Sequence, residues 1–193
     1  MKPILSLLLS AVLLCCVVAL ATPSGKAKPT PSLQQKIAYI EANGRAAHPD
    51  PTPTVLTEDE VNVYLASGDL KMPAGVKSVH LRGEDGQITG TAQVDFDQVR
   101  AGAHSSNPLL SLFSGVHDVE VATRAYGEGG FGYVHVDSVS LDGVEVPRFV
   151  LQLFVEKYLT PRYPEIGLDS KFKLSDRIDS AQVGEHKVTL IQK

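Results

Sequence analysis

The sequence predicts an α+β domain in which an antiparallel sheet packs against a long apolar helix, and three observations predict it. Residues 87–97 alternate, with Ile88, Gly90, Ala92, Val94 and Phe96 between Gln87, Thr89, Thr91, Gln93, Asp95 and Asp97. A period of two with one polar side belongs to an antiparallel sheet wet on one face. Asp142-Gly143, set between Leu141 and Val144, is a two-residue hairpin signal. The run Pro147–Leu159, PRFVLQLFVEKYL, confines Arg148, Gln152 and Glu156 to one stripe at i, i+4, i+8 and is otherwise almost wholly apolar. Its hydrophobic arc exceeds the roughly 100° that a single sheet face needs.

The chain starts with Lys2, an apolar and small run from Ile4 to Leu20, and small residues at Ala19 and Ala21. That pattern is read as a secretory signal peptide over residues 1–21, cleaved after Ala21, with an uncleaved membrane anchor as the alternative for a run of about 17 residues, and it implies an exported, periplasmic or extracellular protein. Both cysteines, Cys15 and Cys16, lie inside the run, and neither follows the small residue that a lipid-attachment cysteine requires. The mature chain therefore has no disulfide and holds its fold by core packing. Residues 22–56 read as a proline-rich tether carrying a short helix. Thr22–Ser32 is small, polar and proline-rich, Ser32 caps a helix with Leu33, Ile37 and Ile40 on one face, Asn43-Gly44 stops it, and His48–Thr54 is a second stiff linker. The helix is expected to dock on the domain that follows.

The main domain is assigned to residues 57–193. Thr57-Glu58-Asp59-Glu60 is a capping box with acids at the positive end of a helix whose face is Val61, Tyr64 and Leu65. A strand around Val76–Arg82 precedes the alternating one. Pro108–Gly115, PLLSLFSG, then places four large apolar residues in a short segment. Strands are expected over Val119–Tyr126, Phe131–Leu141, Lys171–Leu174, Ile178–Val183 and Lys187–Gln192, the last two forming a hairpin around Gly184-Glu185.

Composition narrows the function. The formal net charge is −4 and basic residues do not cluster, so the electrostatic term that drives nucleic-acid binding is missing. With no tryptophan and 6% aromatic residues, a sugar-stacking platform is poorly supported. The stretch AYGEGGFGYV fits G-x-G-x-x-G through Gly127, Gly129 and Gly132. A dinucleotide site needs those glycines between a strand and a helix, whereas both flanks here read as strands. A kinase loop would further require V-A-I-K, H-R-D and D-F-G, which are absent. The stretch is read as a hairpin turn. His135 and Asp137 at i, i+2 could offer two metal ligands or a base with its orienting carboxylate, and Asp95 and Asp97 could pair as carboxylates. Neither pair has a third group at a recognisable spacing. No catalytic residue, metal site or cofactor is assigned, and the chain is read as a non-enzyme.

The apolar helix allows two readings. It is sandwiched between the sheet and the C-terminal strands, or one side lines a space for an apolar ligand through Phe149, Val150, Leu153 and Phe154, with Leu109, Leu110, Leu112 and Phe113 near the mouth. The order of the capping-box helix Thr57-Glu-Asp-Glu-Val-Asn-Val-Tyr-Leu65, long alternating strands, hairpin, Val-Pro helix, Phe172-Lys-Leu174 and Ile178–Leu190 resembles LmeA-like exported phospholipid-binding proteins, related to the tubular lipid-binding superfamily. The resemblance spans residues 57–192. It implies a strongly curved sheet wrapped around a helix, lipid chains held between them, and no catalytic residues. The expected function is thus an exported lipid- or apolar-ligand-binding protein of the cell envelope, compatible with peripheral membrane contact. The alternative is an envelope structural or assembly factor that binds a protein partner through a sheet edge or through Leu109–Phe113.

Overall fold

The computed structural model describes residues 32–100, 107–161, 163–164 and 166–193. The expected signal peptide, Cys15 and Cys16, and the tether as far as residue 31 lie outside them. Helix α1 (Leu33–Arg45) starts at the expected cap, with Ser32 and Gln35 forming a reciprocal capping box. It is part of the folded unit. Leu33 and Ile40 are buried in the same core as Leu56, and Asn43 donates to Gln192 Oε1 (2.8 Å) while Gln192 Nε2 donates to the carbonyl of Ile40 (2.8 Å). One buried amide donating to the other, and the second donating to a helix carbonyl, tie the helix to the C-terminal strand. Strand β1 (Thr54–Thr57) follows and, like α1, packs with strands beyond Thr57. The reason is an edge: β1 adds to β9, with Leu56 facing inward at 1% exposure.

Helix α2 (Glu58–Ala66) carries the Thr57/Glu60 capping box that the sequence announces. Next come β2 (Val76–Glu84), β3 (Gln87–Asp95), helix α3 (Phe96–Val99), a 3₁₀ turn (Pro108–Leu112), β4 (Val116–Glu128), β5 (Phe131–Leu141) and the short β6 (Val144–Glu145). Helix α4 (Arg148–Phe154) leads to β7 (Asp169–Lys173), β8 (Ile178–Gly184) and β9 (Lys187–Gln192). Every strand pairing among the described residues is antiparallel. The order is β1-β9-β8-β4-β3-β2, with β5 on the other edge of β4 and carrying β6 and β7. One edge of β4 is shared: residues 116–124 pair with β3, and Tyr126 and Gly127 pair with β8. The resulting sheet is open and curved.

Two expectations need correction. The long apolar helix is a seven-residue α-helix that passes into a π turn over Val155–Leu159, where the Thr160 N–H donates to the Val155 carbonyl at 2.9 Å. The wider turn lets Val155, Tyr158 and Leu159 all face inward, so a core that overfills one α-helical face is accommodated by changing the helix. Asp95 and Asp97 do not share a strand face. The strand ends at Asp95, whose carboxylate accepts the Gln98 N–H as the cap of α3.

The glycine-rich stretch is a hairpin between β4 and β5, with Gly129 and Gly130 at φ 58° and 80°. Gly127 has a separate reason: a Cβ there would lie 2.8 Å from Ala181 Cβ, where β8 crosses β4. The inner face of the sheet supports two cores. One joins α1, α2, β1, β8 and β9, and the other joins α3, the 3₁₀ turn and α4. Thr123, fully buried, separates them and donates its hydroxyl to the Ile88 carbonyl at 3.0 Å.

Candidate functional site

The second core is incompletely filled. Between α4 and the sheet lies an apolar cavity of about 100 Å³. Its floor is Gly90, Ala92 and Val94 of β3, Val119 and Val121 of β4, and Val136 and Val139 of β5; its roof is Leu151, Phe154, Val155 and Leu159. The gap has a local cause. Inward positions of β3 bear Gly90 and Ala92 where β4 bears Val121 and Val119, so the floor is low opposite the helix. A bulge in β5, where Asp137 is the extra residue between Val136 and Ser138, keeps both Val136 and Val139 on the inner face. Ala92, Val119, Val121 and Val139 are only partly buried, so water reaches the apolar floor.

An aromatic group closes one end. Phe113 lies 4.2 Å from Phe154 and 5.4 Å from Phe96 between ring centroids, and Phe96 meets Phe154 edge-on at 5.6 Å. All three line the cavity. The lining has no titratable or nucleophilic side chain, so this space offers dispersion and apolar burial, not proton transfer. The nearby Tyr158 is 5% exposed, and its buried hydroxyl has no hydrogen-bond partner among the described residues.

Of the eight residues expected to hold a ligand, Phe113 and Phe154 line the cavity. Val150 and Leu110 are buried in the surrounding core, and Leu153 packs against it. Phe149, Leu109 and Leu112 point to solvent at 60%, 45% and 48% exposure. Helical spacing alone could not tell the inward arc from the outward one, because the polar stripe is too narrow to mark it. The lining residues missed include the whole strand floor, Gly90 and Ala92 among it, and Leu151, Val155 and Leu159 of the roof. A signal existed for the first two: they are the small residues on the apolar side of the clearest strand.

Charged side chains anchor the frame around this space. Arg148, at the start of α4, donates to the Val136 carbonyl (2.7 Å) and to Asp169 (2.8 Å). Asp169 also receives His135, and its carboxyl is held below the usual carboxylate range, first by that hydrogen bond and then by the charges of His135 and Arg148, against a cost of burial. Asp137, 3.6 Å from His135, is held low chiefly by its hydrogen bond from Arg124. Asp137 thus pairs with Arg124 and Asp169 with Arg148, and among the described residues no three histidine, cysteine or acidic side chains are placed to hold a metal ion.

No family model matches the chain, and no curated protein or solved structure is significantly similar to it. Among the described residues no helix is long and apolar enough to cross a membrane.

Proposed function

We propose that the chain is an exported, non-enzymatic protein of the cell envelope that binds a lipid or another apolar ligand, taking hydrocarbon into the space between α4 and the sheet. The observation that carries this reading is the 100 Å³ cavity lined wholly by apolar groups, with water-accessible valines on its floor. At about 30 Å³ per water-sized group the resting space holds roughly three methylenes. Burying three contributes roughly 2.4 kcal/mol at about 0.8 kcal/mol each. A longer acyl chain enters tail-first and parts α4 from the sheet. The short helix and its π turn suit such parting, because they form one wall on their own.

The test is mass spectrometry of an organic extract of the natively purified protein, followed by titration of a fluorescent fatty-acyl probe. Bound lipid and saturable probe uptake support the reading. A clean extract with no uptake defeats it. One observation favours a second reading: Leu109, Leu112 and Phe149 expose large apolar side chains on the 3₁₀ turn and α4, which pack against each other. A clean extract with a co-purifying protein, lost on changing Leu112 and Phe149 to Ser, would favour an assembly role.

A further inference from the structure

His117, at the start of β4, sits between two oxygens that can only accept. Its Nδ1 is 2.6 Å from Asp142 Oδ2, and its Nε2 is 2.8 Å from the carbonyl of Ser114. Asp142 Oδ1 already accepts the Asp118 N–H at 2.9 Å, so that carboxylate is fixed in place and in charge. A neutral imidazole has one N–H and one lone pair. Whichever nitrogen loses its proton then faces oxygen lone pairs at hydrogen-bond distance. Only the imidazolium satisfies both contacts.

The two partners differ in what they belong to. Asp142 is in the β5–β6 turn, whose N–H donates to the Asp118 carbonyl at 2.8 Å, so it moves with the sheet. Ser114 follows directly on Phe113, the 1% exposed ring that closes the cavity. The imidazole also packs beside Phe96, a second lining residue, with ring centroids 5.9 Å apart and the planes tilted by 57°.

We propose that His117 is a proton-operated latch on the apolar cavity: as the imidazolium it pins the Phe113 segment to the sheet, and on losing its proton it frees that segment and opens the space beneath. The latch rests on the ligand-binding reading of the cavity and names its regulation. Gly115, at the end of the segment, is held to α3 by the Phe96 N–H at 2.8 Å, and the other charged groups nearby have partners of their own. Asp95 caps α3 and binds the Gln98 side chain, Asp97 pairs with Arg100 and accepts the Gly115 N–H, and Asp118 gives its backbone N–H to Asp142. The imidazole is held above its ordinary pKa, first by the hydrogen bond to Asp142 and further by the Ser114 carbonyl, with burial opposing. Asp142 is held below the carboxylate range, first by His117. The latch is therefore complete below the ordinary imidazole value and is lost as pH rises through the raised one.

The test follows His117 by ring NMR on the full chain from about pH 5.5 to about pH 8.5, the range in which histidine switches. Alongside it, hydrogen exchange at the Leu110 and Phe113 amides, which bond within the segment, is corrected for its intrinsic pH dependence. The expected result is a loss of protection at both amides of about tenfold per unit of pKa shift, tracking His117 and not shared by Val121 at the centre of β4. Asp142→Asn should move the midpoint to lower pH, and His117→Gln should remove the pH dependence. Flat protection through the His117 titration, or pH dependence that survives in His117→Gln, overturns the latch. Association of the fatty-acyl probe separates the two readings. Exchange that opens with pH while no probe enters keeps the latch and removes the lipid. Probe binding with flat exchange and a pH-independent rate keeps the lipid and removes the latch.

Discussion

Replacing Ala92 with Leu should stabilise the protein and abolish ligand uptake. Ala92 faces the cavity from β3, opposite Val119, and is the smallest side chain on the floor apart from Gly90. An unfilled cavity costs roughly 24 cal/mol per Å³, so 100 Å³ corresponds to roughly 2.4 kcal/mol of missing stability. Leucine adds three carbon atoms, enough to fill most of that space at about 30 Å³ each. Rotamer restriction of leucine costs about 0.5–1 kcal/mol of that gain, leaving a net stabilisation of about 1.5 kcal/mol. Urea unfolding monitored by circular dichroism gives the free energy, and a fluorescent fatty-acyl probe gives the uptake. If the same change costs 1–3 kcal/mol, as insertion into a well-packed core does, the cavity is not a usable space. If it stabilises while uptake is unchanged, the ligand binds elsewhere.

Other outcomes follow from single contacts. Gly127→Ala should lose about 1–3 kcal/mol in urea melts, because the new Cβ meets Ala181 Cβ at 2.8 Å and its backbone nitrogen at 2.9 Å. Gly129→Ala, in open space at φ 58°, should lose about 1 kcal/mol from backbone strain alone, and ATP should shift the melting temperature of neither variant. His186 bonds Glu58 at 2.9 Å, and that bond raises the imidazole pKa. Glu58 is lowered in spite of burial, because the Gly83 N–H and His186 outweigh it. The histidine contribution is present below the ordinary imidazole value and fades as pH rises through the raised one, whereas the Glu58 contribution is present above the ordinary carboxylate value and fades as pH falls through the lowered one. The pair should therefore be strongest in mildly acidic solution, and His186→Ala should flatten the stability profile on its alkaline side, read from melts across that range. If the proposed export holds, intact mass of the natively purified protein should place the mature start at Thr22; a chain that keeps Cys15 and Cys16 would mean an anchor instead.

Local signals in the sequence determined the hairpins, the caps and the alternating strands, because each depends on residues within a few positions of one another. Asp142-Gly143 turns as expected, with positive φ at both residues, and Thr57 and Glu60 cap α2 as the spacing requires. The apolar excess of Pro147–Leu159 was equally legible, but its direction was not. Only the tertiary structure decided that Leu151 and Phe154 face the sheet while Phe149 faces water, because that depends on how α4 docks, and that Val155 and Leu159 follow them inward, because the π turn shifts the phase there. It also showed α1 packing with the C-terminal strand, through a hydrogen bond between Asn43 and Gln192 that spans 149 residues, and β1 pairing with β9. The His117 latch lay beyond sequence reading for the same reason: Asp142 is 25 residues away, and Ser114 contributes a backbone carbonyl that has no signature in the amino-acid code. Period and turn chemistry are written in neighbouring residues, whereas a cavity exists only where distant strands and a helix fail to fill the space between them.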